Sequence, residues 1–156
     1  MMRRVLWSLL FVVGLPFPAA AQTLPAVSVT DAWSRPATVT GVVYATLHNR
    51  AAVADHLVGA SSPLARHIGL HETSEMKLPG MSTSMGNMPM TGSMTSMKSV
   101  PSIPVPAHGT TSLAPGGYHL MLDLRRDLKA GEVVPLRLHF VRSGWVTTSA
   151  QVRPIR

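Results

Sequence analysis

The feature that most restricts the fold is the alternation in Leu136-Arg137-Leu138-His139-Phe140-Val141. Successive residues of a strand point to opposite faces, so Leu136, Leu138 and Phe140 share one face and Arg137 and His139 the other. A period of two with one wet face belongs to an antiparallel sheet. Segments of similar character run over 27–33, 41–49, 54–60, 66–72, 110–113, 118–122, 133–141 and 145–152, separated by Gly, Pro, Asn and Asp clusters. Ala114-Pro115-Gly116-Gly117 has the chemistry of a tight turn, and Leu128-Lys129-Ala130-Gly131 that of an inter-strand loop. No segment has the pattern of a core-building helix. The expectation is an all-β sandwich, and 156 residues suffice for one such domain.

The N-terminus is read apart from the fold. Met1-Met2-Arg3-Arg4 is basic, residues 5–15 are nearly all apolar, and Ala19-Ala20-Ala21 offers the small residues of a cleavage site. The apolar run is about half of the roughly 20 residues a bilayer span needs, and Pro16 and Pro18 end it. Residues 1–21 are therefore expected to be a signal peptide and 22–156 a single exported periplasmic domain without stable membrane insertion. The chain has no cysteine, so neither disulfides nor thiolate metal sites are available to it. Its formal charge of +7 falls to about +5 once Arg3 and Arg4 leave with the leader. The remaining cations are scattered and aromatics are sparse among them, which argues against a nucleic-acid partner.

Methionine is the anomaly. Of ten methionines, seven (Met76, Met81, Met85, Met88, Met90, Met94 and Met97) fall in one segment whose neighbours are mainly Ser, Thr, Gly and Pro. Such a segment buries too little to order itself, so a mobile Met-rich loop is expected at about 77–99. Core filling would mix Met with Leu and Ile, and sacrificial oxidation is a further use for exposed sulfur. Thioether sulfur is soft and uncharged, and it selects copper(I) over the ions that carboxylates hold.

His119-Leu120-Met121 is the second feature. Residues two apart share a strand face, so the imidazole and thioether converge beside the sheet while Leu120 enters the core. His71 ends another expected strand, shortly before the methionine segment.

Several stretches carry a resemblance: Asp31-Ala32-Trp33-Ser34-Arg35-Pro36-Ala37, Tyr44-Ala45-Thr46-Leu47-His48-Asn49, Leu70-His71-Glu72-Thr73 and Pro115-Gly116-Gly117-Tyr118-His119-Leu120-Met121. The sequence resembles the periplasmic copper chaperones called PCuAC over nearly the whole expected mature chain. That family's metal motif is His, ten residues, Met, twenty-one residues, His, one residue, Met. Met97, His119 and Met121 match its second part without adjustment, whereas twenty-five residues separate His71 from Met97. The surplus fits an insertion within the Met-rich stretch. The resemblance implies a cupredoxin-like Greek-key β-sandwich or barrel, with His71, Met97, His119 and Met121 as ligands of one copper(I) ion. Met76, Met81, Met85, Met88, Met90, Met94 and His108 are accessory candidates, and silver(I) or copper(II) are further ions to consider. It also implies delivery of copper toward the copper centre of cytochrome c oxidase; a monomer is expected, and another periplasmic copper-transfer protein is the further partner to consider. A copper- or silver-sequestering protein is the alternative that the Met-rich segment favours.

The other histidines suit ordinary roles. His48, His56 and His139 are expected at the surface or in satisfied structural positions, and His67 shares a strand face with His71 at roughly 13 Å, too far to share an ion with it. Trp33 and Trp145 are expected in the core. Enzymatic function is not expected: there is no Gly-x-Ser-x-Gly, and Asp123 is the nearest acid to His119. A blue-copper centre would need the absent cysteine.

Overall fold

All eight segments with strand-like patterning form strands in the computed structural model, which describes residues 26–77 and 93–154. The strands are β1 (Val27–Ser34), β2 (Thr40–Asn49), β3 (Asp55–Ser61), β4 (Ala65–Lys77), β5 (Ser93–Ser99), β6 (Ile103–Val105), β7 (Thr110–Leu113), β8 (Tyr118–Leu124), β9 (Val133–Phe140) and β10 (Gly144–Val152). They make one ten-stranded sheet in the order β5-β4-β8-β7-β2-β1-β10-β9-β3-β6. Its pairings are antiparallel except β1 with β10 and β7 with β8. The sheet curls into a half-barrel that brings β3 towards β4 across the core.

The period of two decides what enters that core. Leu136, Leu138 and Phe140 are buried, as are Val43 and Leu47 of β2 and Leu120 and Leu122 of β8. Each such side chain contributes about 1.5–3 kcal/mol when fully withdrawn from water. The expected core placement of Trp145 is corrected: this side chain is 51% exposed. It stands opposite His139 on the polar face of β9, stacks on that imidazole at 4.5 Å, and lies beneath the Arg137 guanidinium at 5.0 Å. Its register with His139 leaves no route to the core.

The expected loop over 77–99 is corrected at its C-terminal end. β4 continues to Lys77, and Ser93–Ser99 pairs with it from His71↔Ser99 to Lys77↔Ser93. Backbone pairing rather than burial supports this edge strand, whose residues 95–99 are all exposed, and so it lacks the apolar rhythm that marks other strands. A Lys98–Glu72 ion pair at 3.1 Å adds little at such exposure. Residues 1–21, Met81, Met85, Met88 and Met90 lie outside the described residues. The short β6 was also unexpected. Pro104 occupies its exposed middle position at the sheet margin while Ile103 and Val105 are fully buried on either side.

Asp55 anchors the start of β3. This buried carboxylate accepts hydrogen bonds from the backbone N–H groups of His56, Arg142 and Ser143 and from the Ser143 hydroxyl, at 2.7–2.9 Å. Burial alone would raise its pKa, but these donors outweigh burial and hold the carboxyl below the usual range. A depressed folded-state pKa gives stability that is present above the unfolded value and lost as pH falls through the folded one. Asp55→Asn is therefore expected to cost about 3 kcal/mol near neutrality by urea denaturation. The gap from wild type should close as pH drops below about 4; a pH-independent gap would contradict this account.

Candidate metal centre

The antiparallel register of β4 and β8 places His71 opposite His119 and Gly69 opposite Met121. Leu70 and Leu120, the intervening pair, point inward and are buried. The two imidazoles and the Met121 thioether consequently share the outer face, with ring centroids 5.8 Å apart and ring planes 26° from parallel. On the adjoining strand, Met97 stands opposite Thr73, one same-face step beyond His71. Its side chain is 55% exposed, which leaves the flexible thioether free to fold over the imidazole pair.

The turn before β8 positions His119. Gly116 takes φ +82°, a left-handed conformation that glycine adopts without a Cβ clash, and Gly117 N–H donates to the Ala114 carbonyl at 3.0 Å. The Gly117 carbonyl then accepts from Thr73 N–H at 3.0 Å and from His119 Nδ1 at 3.1 Å. A carbonyl can only accept, so Nδ1 carries the proton and Nε2 keeps its lone pair. The ring that could coordinate a metal is thus held in the required tautomer by backbone shared between two strands.

Aromatic side chains continue this face. Tyr44 lies 6.5 Å from His119 between ring centroids, and Trp33 lies 4.7 Å from Tyr44. A register shift between Thr30 and Trp33, with Asp31 at φ 51°, turns Trp33 onto the outer side opposite Tyr44. The Arg153 and Arg35 guanidinium groups approach the indole at 5.4 and 6.0 Å. Trp33 is accordingly half-buried against Tyr44 on this face rather than in the core.

The remaining candidates separate by position. Met76 and Met94 are Cα partners farther along the β4–β5 hairpin. His108 belongs to the opposite end of β2: Gly109 O accepts from Asn49 N–H, five residues along the strand from Tyr44, or roughly 16 Å. It is not brought to the other candidates, because the register of β2 carries its turn away from them. His48 has both nitrogens engaged, with Thr30 Oγ1 at 2.9 Å and Thr110 Oγ1 at 3.1 Å. No three His, Asp or Glu side chains among the described residues are grouped to hold one metal ion. His71 and His119 are the two imidazoles whose rings approach each other on this face, with Met121 opposite Gly69 beside them. Gly69, midway between His67 and His71, is the further residue on this face that the His67-x-Gly69-x-His71 spacing marks in the sequence.

The copper-bound PCuAC domain from PmoF2 superposes with a TM-score of 0.64 at 20% identity, covering 85% of this chain and 97% of that domain. Copper(I)-DR1885 from Deinococcus radiodurans is 32% identical with a TM-score of 0.55, covering 86% of this chain and 83% of that one. The fold is the cupredoxin-like fold of PCuAC domains. "Putative lipoprotein Lxx21020" of Leifsonia xyli subsp. xyli is 30% identical over 129 residues, which cover 79% of this chain and 69% of that protein. The family described as "Putative lipoprotein LpqE-like" matches residues 27–86 and 76–152, and this chain belongs to that PCuAC-related family.

Burial lowers the His71 pKa first, and the neighbouring His119 and then His67 lower it further by opposing a second positive charge. In NMR titration of the metal-free protein, the His71 ring should reach its midpoint below the ordinary value of about 6.5. His119→Ala should move that midpoint back upwards. Because the unfolded chain takes this proton first, His71 reduces stability as pH falls from about 6.5 through its folded pKa. An ordinary His71 midpoint, unmoved by His119→Ala, would contradict the proposed coupling.

Proposed function

We propose that this protein is an extracytoplasmic copper(I) chaperone that carries one ion between the His71 and His119 imidazoles and the thioethers of Met121 and Met97. The observation that carries this reading is the cross-strand His71–His119 pair with Met121 on the same face and His119 Nε2 left as an acceptor. Two neutral nitrogens and soft sulfur match monovalent copper, which accepts three or four ligands. Silver(I) should compete through the sulfurs, while copper(II) would depend more on the imidazoles. The copper-bound relatives support copper as the cargo.

Residues 1–21 would direct export and then be removed. The sequence holds no cysteine, so a thiol-linked lipid has no attachment point within it. The acceptor would be a cytochrome c oxidase subunit or another copper-transfer protein of the periplasm, reached by stepwise ligand exchange. An exposed sulfur on an edge strand suits such exchange, because an incoming ligand can replace it while the imidazoles still hold the ion. The Met76–Met94 pairing on the same hairpin favours a second reading, in which further methionines sequester additional copper or silver.

Anaerobic titration of the exported protein with copper(I) against a chromogenic chelator separates these readings. One tight equivalent is expected, and combined His119→Ala and Met121→Ala substitution should weaken it at least about a hundredfold. Several equivalents that survive the double substitution would favour sequestration, and no tight equivalent would sink the chaperone assignment. Both imidazoles must be neutral to bind, so affinity should weaken as pH falls through the imidazole range, and the lowered His71 pKa lets that ligand resist proton competition further than an unperturbed imidazole would. Retention of full affinity in strong acid would exclude imidazole ligation.

A further inference from the structure

Gly69 sits within β4 without the positive φ that would call for glycine. Glycine weakens a strand, so another constraint must account for its fit here. The geometry supplies one: a Cβ at residue 69 would stand 2.8 Å from His71 Nε2 and 3.1 Å from His71 Cδ2. The same point lies 3.9 Å from His67 Nε2. Both imidazoles therefore lean inward over bare backbone from opposite sides.

This arrangement changes what strand spacing alone suggests for His67. Four residues put the two backbones roughly 13 Å apart, but inward-leaning rings narrow the gap between their nitrogens. Two metal–nitrogen bonds of about 2 Å each can then help to bridge it. Met121 stands directly across from Gly69 and brings a thioether to the same gap. Asp123, opposite His67, is engaged by Arg66 at 3.2 Å, leaving nitrogen and sulfur as the convergent chemistry. Exposure is graded along the imidazoles: His67 is exposed, His71 is half-buried and His119 is 4% exposed.

We propose that His67 and His71, with Met121 opposite Gly69, form an outer copper(I) station through which the ion enters and leaves the inner one. The proposal rests on the chaperone reading above. The stations share His71 and Met121, so they hold one ion in succession. On departure, the bonds to His119 Nε2 and Met97 sulfur break as the bond to His67 Nε2 forms. Copper remains monovalent, and His71 and Met121 retain the ion throughout. The solvent-facing His67 then presents it to an incoming donor. Gly69 is a positioning residue that keeps the path clear.

The test is anaerobic stopped-flow transfer of copper(I) from the exported protein to a chromogenic chelator, alongside imidazole 15N NMR. His67→Ala should retain one equivalent with affinity within about threefold of wild type, while transfer slows by about tenfold or more. In wild type, adding copper(I) should shift the His67 Nε2 resonance. Gly69→Ala should weaken copper(I) affinity, because its methyl displaces His71, a ligand that both stations share. Gly59→Ala provides a control for alanine in a strand, since a Cβ there meets only His139 Cβ at 3.9 Å. Transfer by His67→Ala within about twofold of wild type, with an unmoved His67 resonance, would overturn the outer station alone if the His119/Met121-dependent equivalent is intact. If wild type has no such equivalent, the chaperone reading fails with it.

Discussion

The pairing of β4 with β8 is the constraint on which the candidate centre depends. It sets Leu70 against Leu120 and Ile68 against Leu122 on the core side, and His71 against His119 and Gly69 against Met121 on the other. A slip of one residue by either strand would send its apolar positions towards water and its imidazoles into the core. Hydrophobic burial thereby selects the register, and the register gathers nitrogen and sulfur. The centre need not provide the energy that assembles it: the side chains between its donors supply that energy by entering the core.

Around this pairing, the backbone restrains some donors and leaves others mobile. His119 is buried and locked through the Gly117 carbonyl, which also receives Thr73 N–H and so ties the turn before β8 to β4. Met97 stands exposed on β5, which is an edge of the sheet among the described residues. Restraint on one side of an ion and freedom on the other is a useful division for a carrier. A cage closed equally from every direction would retain its cargo more firmly and release it more slowly.

Much of this was legible before the structure. Alternation identified Leu136, Leu138 and Phe140 as inward residues, and the same parity placed His119 and Met121 on one side of Leu120. An aromatic as large as Trp145 suggests the core, but its pairing opposite His139 puts it on the polar face of β9. The composition of 93–99 suggests a loop because it lacks apolar residues at strand spacing, and an edge strand supported by backbone pairing, with residues 95–99 all exposed, has no apolar rhythm to reveal it. His67 was judged from backbone spacing, whereas the lean of its ring over Gly69 is a rotamer choice that strand periodicity does not encode. The chemistry of an imidazole in a Pro-rich turn makes His108 an accessory candidate, yet the register of β2 carries it to the far end of that strand.

The row from Trp33 through Tyr44 to His119 also gives the protein an intrinsic optical probe. A metal seated at His119 would have an indole only two rings away, while Trp145 belongs to β10 and is stacked on a different imidazole. The two tryptophans among the described residues occupy unlike surroundings, Trp33 half-buried against Tyr44 beneath two guanidinium groups and Trp145 half open to water, stacked on His139 beneath Arg137. Occupancy can therefore change one component of the emission while the other serves as an internal standard, allowing loading and release to be followed in unlabelled protein.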